Sequence, residues 1–289
     1  MTPPAEHSPA EHSPADAQHS SILSPAALSR LERRRAGDRP GELHGSADEL
    51  GALGAAGYCP AGVVYGNSVF HVGLQPERWG TNLELTAITR AVHTARSYAL
   101  ARLVAEAETL GAVGVLGVRI EGRRYDWAEE MLEVVATGTA VGVIATATDA
   151  RPGPAVARPG APVWTTRLSP GEVAALGGNG YAPAAVVLGT CVYHVEHRSF
   201  RRQWLSDGRL REMPTFTQGL ADGREIALAR LRAHAEQVGA DVVVGVAVAE
   251  DHHGWGDHAV EHCALGDGLH RTGAGAGGTG GGAGGTVDG

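Results

Sequence analysis

The stretch LGAAGYCPAGVVYGNSVFHV, residues 53 to 72, returns without a gap at 176 to 195 as LGGNGYAPAAVVLGTCVYHV. The alignment pairs Tyr58 with Tyr181, Pro60 with Pro183 and His71 with His194. After five extra residues in the second copy, ARSYALARLVAEAETLGAVGVLGV (95 to 118) aligns with GREIALARLRAHAEQVGADVVVGV (223 to 246), so Arg96 meets Arg224, Gly111 meets Gly239, and further on Trp127 meets Trp255. A chain written twice must fold as one small unit made twice. Two such copies, each about 100 residues, account for the folded part of the chain.

Within each copy the hydrophobic period changes in order. VVYGNSVFHV is rich in β-branched and aromatic residues and reads as a strand with a glycine bend. From Leu85 the apolar positions fall at Ile88, Val92, Ala95, Ala99, Leu103, Ala107 and Leu110, one stripe of an amphipathic helix. Gly111 stands where the chain leaving a helix needs positive φ. VGVLGVRI and MLEVVATGTAV then read as two strands. The second copy repeats the pattern, with Ile226, Leu231, Ala235 and Val238 in the helix and Gly239 at its end. The expected class is α+β: two tandem β-α-β-β units, each a small antiparallel sheet covered by one helix. The expected boundaries are a disordered N-terminal tail over 1–45, repeat 1 over 46–149, a Pro-rich linker over 150–162, repeat 2 over 163–271, and a disordered Gly-rich tail over 272–289.

Charge and composition narrow the function classes. The formal net charge is -8, and the basic run Arg33, Arg34, Arg35 lies in a Pro/Gly/Ser-rich stretch, so no nucleic-acid face is expected. The three cysteines, Cys59, Cys191 and Cys263, include no C-x-x-C pair, and Cys59 and Cys191 read as inert small hydrophobes of a reducing cytoplasm. No apolar run reaches the ~18 residues of a membrane span, and no signal-peptide pattern opens the chain. The G-x-G-x-x-G match in the C-terminal tail has no strand before it and no helix after it, so it is no dinucleotide fingerprint.

The helix-to-strand run GREIALARLRAHAEQVGADVVVGV, its counterpart ARSYALARL with LGAVGVLGV, and the closing TGTAV at 137 to 141 resemble the YbjQ-like family, also labelled a heavy-metal-binding domain family. The resemblance implies a β-α-β-β, dodecin-subunit-like fold that assembles into a ring, typically five-fold, with short strands bridging neighbours. Two copies in one chain then imply either a stacked pair of rings or pairing between copies within the chain. The second copy reads LGDGLH at 265 to 270 where the family has Gly-Thr-Ala-Val, so its last strand is expected to end early or splay.

The densest chemistry is DHHGWGDHAVEHC, residues 251 to 263, with four histidines, three carboxylates and a cysteine. His258, Glu261 and His262 spell H-x-x-E-H, an inverted zincin motif that works only on a helix, where both imidazoles reach one zinc and the Glu acts as base. Aligned through Trp127 and Trp255 the stretch is a strand and turn, on which His258 and His262 stand about 13 Å apart. The match is therefore read as chance, and no enzyme is expected. Non-catalytic binding of Zn, Ni or Cu by His252, His253, Asp257, His258 and His262 remains open, as does a ring in which His262 or His270 of neighbours meet. A polar hairpin that discourages edge pairing is the plainer alternative.

His71 and His194 read as structural histidines, and His194 with His197 as a minor second site. Arg96 and Arg224 read as helix-surface residues that bridge to a neighbouring subunit or bind an anionic ligand. The expected function is a non-enzymatic, ring-forming cytoplasmic scaffold or interaction module with weak metal binding in repeat 2. The alternatives are a heavy-metal buffering or detoxification protein and, more distantly, a small-ligand carrier with pockets between subunits.

Overall fold

The computed structural model describes residues 23–37, 42–72, 81–125, 128–144, 161–195, 212, 214–252 and 259–272. The first copy runs helix α2 (Ala47–Ala55), strand β1 (Tyr58–His71), the short strand β2 (Leu83–Glu84), helix α3 (Thr86–Thr109), and strands β3 (Gly114–Tyr125) and β4 (Ala128–Val143). The second runs the short strand β5 (Trp164–Thr165), helix α4 (Pro170–Gly178), strand β6 (Tyr181–His194), helix α5 (Pro214–Gln237), and strands β7 (Val242–His252) and β8 (Ala259–Arg271). Each copy thus carries the expected β-α-β-β core, and the chain is α+β.

The helix stripe does what its spacing demands. Leu85, Ile88, Val92, Ala95, Ala99, Leu103 and Ala107 are all buried against the sheet, and Gly111 and Gly239 leave their helices at φ 70° and 69°. Strand and helix approach so closely that the bend glycines have no room for a side chain. A Cβ on Gly66 would lie 2.0 Å from the Ala99 carbonyl oxygen, and one on Gly189 would lie 2.0 Å from that of Ala227.

The sheets read β1-β4-β3-β5 and β2-β6-β8-β7. In both, the copy's own three strands are antiparallel, with β4 or β8 in the centre. The fourth strand is supplied by the other copy. β2, just upstream of α3, pairs with the edge of β6 through Leu83 and His194. β5, at the head of the second copy, lies parallel to β3 through Gly114 and Trp164. Pairing between copies within one chain, one of the two arrangements that the resemblance implies, is therefore what the structure has.

Two expectations need correction. The stretch 1–45 is not wholly without structure, because Pro25–Arg35 is a helix, α1. Ser24 caps it by accepting a hydrogen bond from Ala27 N at 3.1 Å, and Pro25 starts it. It is held by one fully buried side chain, Leu31, and by Arg30, whose guanidinium meets both Glu106 carboxylate oxygens at 2.5 Å. Composition hides a helix with so little to bury. Residues 1–22 and 273–289, the last residues 145–149 of the expected repeat 1, and 150–160 of the linker lie outside the described residues.

The second correction concerns β8, which neither ends early nor splays. It stays paired to β6 as far as Arg271 and to β7 as far as Leu269. Its out-of-place Asp267 is buried and fully engaged: Thr166 Oγ1 donates at 2.9 Å, Arg167 N at 2.6 Å and Arg167 Nε at 3.1 Å. Buried carboxylates are tolerated when hydrogen-bonded in this way.

The close approach at the bend glycines yields a test. Gly189→Ala should lower the unfolding free energy by about 1–3 kcal/mol, the usual cost of overpacking, read as a lower denaturant midpoint. An unchanged midpoint would mean that α5 can move away from β6 freely.

Candidate functional site: the joint between the copies

A small sheet covered by one helix has a second face. In the second copy that face is covered by the first copy's helix. β6 is buried along both faces: Thr190 and Val192 meet α3 directly, and Leu188 and His194, on the same face, are buried as well. The matching residues on β1 are Tyr65, Asn67, Val69 and His71, and each is exposed. Val69 is 45 % exposed where Val192 is 0 %. α3 is therefore packed between its own sheet and its neighbour's. Val186, Val192 and Ala259 of copy two join the core formed by α3.

Polar contacts fix the register of this joint. Leu85 N donates to the Val192 carbonyl at 2.8 Å, and Val192 N donates to Thr89 Oγ1 at 2.9 Å, which closes the outer edge of β6. Glu84 and Arg230 form a two-pronged pair at 2.6 and 3.0 Å, while the same guanidinium donates to the Thr190 carbonyl at 2.8 Å. At the centre lies a buried ion pair. Arg96, on the face of α3 turned to copy two, contacts Glu261 on β8 and donates to Thr190 Oγ1 at 3.3 Å.

Burial opposes the Arg96 charge, but Cys263, Glu261 and Asp251 more than offset it, so the guanidinium is held charged above its ordinary value. Beside this pair is a cavity of about 200 Å³ lined by Ile120, Leu132, Asp251, Cys263 and the pair itself. Burial pushes the Cys263 thiol up, and that of Cys191 to about 12, so neither is a ready thiolate. Cys59, read with Cys191 as an inert small hydrophobe, is exposed, whereas Cys191 is buried.

On the opposite edge the second copy reaches back. Thr166 N donates to the Val115 carbonyl and Val118 N to that of Thr166, both at 2.9 Å. Val118 is thereby 2 % exposed, whereas Val246, its match on β7, is 48 % exposed.

The histidine-rich stretch is placed only in part. His253, Asp257 and His258 lie outside the described residues, and His252 ends β7, where its backbone pairs with Val260. His262 is fully buried on the α5 side of β8, with Nδ1 3.4 Å from Glu250 Oε1. Its imidazole fills the space that a Cβ on Gly223 would need, and desolvation lowers its pKa. Residues 259–262 are strand, so Glu261 and His262 point to opposite faces and the helix that a zincin requires is not there. Among the described residues no group of three or more His, Cys, Asp or Glu is arranged to hold a metal ion.

Sequence reasoning singled out Arg96, but as a helix-surface residue reaching a neighbouring subunit; it is buried and reaches copy two of its own chain. The same reasoning missed Glu84, Thr89 and Arg230, and read Glu261 only as part of the H-x-x-E-H motif. The signal for the missed residues was available as repetition: Glu212, Thr217 and Arg102 occupy the same positions in the opposite copies.

The matched arginines give a direct test. Arg96→Ala strands a buried carboxylate and should cost about 3–5 kcal/mol of stability. Arg224→Ala, at the same position on the exposed helix, should cost about 0–1 kcal/mol. Equal losses in denaturant unfolding would contradict the assigned joint.

Comparison with known proteins agrees with the doubled architecture. A family model described as "Putative heavy-metal-binding", YbjQ_1, matches residues 78–144 and again 186–266. The chain is similar to the "Encapsulin nanocompartment protein Rv1762c" of Mycobacterium tuberculosis (strain ATCC 25618 / H37Rv), 38 % identical over 256 residues, which covers 89 % of this chain and 94 % of that protein. A "UPF0145 protein" of Mycobacteroides abscessus (strain ATCC 19977) is 41 % identical over 85 residues, covering 26 % of this chain and 78 % of the relative. One such domain is thus most of the shorter relative and is met twice here: the chain belongs to the YbjQ-like family and carries the family's domain in two diverged copies.

Proposed function

We propose that the protein is a non-enzymatic scaffold that assembles with itself by repeating, between chains, the joint it makes between its own two copies. The observation that carries this reading is that the joint runs head to tail. Copy one offers its helix face and β2, and copy two offers the outer face and edge of β6. The complementary halves are left over at the two ends of the chain: the helix face of α5 in copy two, and the outer face of β1 in copy one. Thr217 and Arg224 on α5 are exposed where Thr89 and Arg96 on α3 are buried. On β1, Arg102 already donates to the Asn67 carbonyl, just as Arg230 does to that of Thr190, and Glu212 is the carboxylate matching Glu84.

Head-to-tail contacts close into rings or run on as filaments. A ring built on this joint holds an even number of copies, so five-fold symmetry means five chains and ten copies. The name of the M. tuberculosis relative, an encapsulin nanocompartment protein, supports an assembly role. No nucleic acid is needed as a partner, given the net charge of -8. Among the described residues no helix is long and apolar enough to cross a membrane, and three unpaired cysteines suit work in the cytoplasm.

A second reading is metal binding by His252, His253, Asp257, His258 and His262 as an accessory of copy two, in support of heavy-metal buffering. Its support is the composition of that stretch and the description that the family carries.

Native mass spectrometry of the untagged protein tests both readings. The scaffold reading expects integral multiples of the 29.8 kDa chain, and expects Val69→Glu, which changes a residue exposed in the single chain, to yield folded single chains. A wild type that is a single chain at about 100 µM, a concentration at which an interface of standard size is saturated, would contradict it. Stoichiometric metal that is lost when His252, His253 and His258 become alanine would establish the second reading.

A further inference from the structure

The joint within the chain and the joint proposed between chains are not alike in charge, and the difference is ordered. Around Arg96 the facing groups are Glu261 and Asp251 of copy two, while the residue of its own β3 beside it is Gly122, which carries no charge. At the positions that match on the chain's open ends, two of these four have changed. Arg224 keeps the place of Arg96, and Glu133 keeps the place of Glu261. Glu250 stands where copy one has Gly122, and Arg123 stands where copy two has Asp251. An acid has appeared on the helix-bearing side, and on the facing side an acid has become a base. Each change alone would unbalance the joint, whereas together they are complementary.

In the single chain these charges are held by temporary partners. Arg224 meets Glu250 at 2.5 Å, both partly exposed. Arg123 meets Glu121 at 3.1 Å, and both side chains are more than half in water. Exposed pairs of this kind contribute little and exchange readily.

From this juxtaposition we infer that Arg224 and Glu250 of one chain meet Glu133 and Arg123 of a second copy of this chain as a four-charge lock. The inference rests on the scaffold reading and adds to it a selection rule. Arg224 turns from Glu250 to Glu133, as Arg96 reaches Glu261 within the chain. Glu250 then takes Arg123, a pair with no counterpart in the first joint. The lock favours α5 of one chain on β1 of the next. A second α5 that competed for β6 would place Glu250 against Asp251, like against like, and would be rejected.

A charge swap tests it. E250R sets arginine against Arg123, and R123E sets glutamate against Glu250. Each single variant should raise the dissociation constant of the assembly about tenfold or more by sedimentation velocity, as close interfacial charge pairs do. The double variant, which restores the pair with its signs exchanged, should return to within about threefold of wild type. R123E should melt like the wild-type chain under dissociating conditions, whereas E250R and the double variant share the small loss that follows from removing Glu250 from Arg224 and His262, so that recovery of assembly in the double variant is read apart from stability. Single variants that assemble as tightly as wild type, or a double variant no better than the singles, would overturn the lock while leaving the scaffold reading standing. A wild type that never assembles overturns both.

Discussion

A three-stranded sheet with one helix on it has a bare second face and a bare edge, and much else in this molecule follows from how those are covered. In copy two the cover is α3, whose own sheet lies on its other side. The same helix therefore serves two sheets, and residues that would be surface residues on an isolated unit, Thr89 and Arg96, are core residues here. The buried Arg96–Glu261 pair fits this picture. Such a pair gains little net stability against a hydrophobic alternative, but it penalises severely any arrangement that separates the partners. It fixes which face meets which.

Doubling the unit in one chain makes the first joint nearly unavoidable, since tethered partners meet at an effective concentration in the millimolar range for short linkers. It also frees the two joints to diverge. Leu188 and Tyr65, Thr190 and Asn67, His194 and His71 are matched by position yet live in different surroundings, one buried and one exposed. Copy two can hold a fully buried histidine at 262, packed against Gly223, where copy one has Val134 opposite Ala95. A strict homo-oligomer, with every joint alike, would have no such freedom.

Much of the fold was legible in the sequence, because the features that betray it are local. The 3.6-residue stripe from Leu85 to Ala107, Gly111 and Gly239 at the helix ends, and the strand reading of the HAVEH stretch all depend on neighbours along the chain. The short helices α2 and α4 were legible too and were passed over: Ser46 with Glu49 and Ser169 with Glu172 are complete capping boxes. What was not legible was set at a distance. Nothing near Asp267 announces that Thr166 and Arg167 will satisfy it, and nothing near Val69 or Val192 tells which will be covered, because the cover comes from another copy. The same holds for the candidate site. Arg96 stood out by its matched helix position but was read as a surface residue, because the sheet that buries it comes from the other copy, and its partner Glu261 was obscured by a motif that a strand cannot use.

The central proposal is that β1 around Val69 and β7 around Val246, both exposed in the single chain, are the uncovered halves of a joint already made once inside the chain. Amide hydrogen exchange as a function of protein concentration tests it most directly, since it reads those strands residue by residue. The account predicts that protection rises with concentration at Asn67 to Val69 and at Gly245 to Ala247, while Leu188 to His194 and Val115 to Val118 stay protected at every concentration, as does Tyr65, whose amide donates to Glu106 within the chain. Exchange at Asn67 to Val69 and Gly245 to Ala247 that does not change with concentration, or protection at β6 that appears only at high concentration, would contradict it.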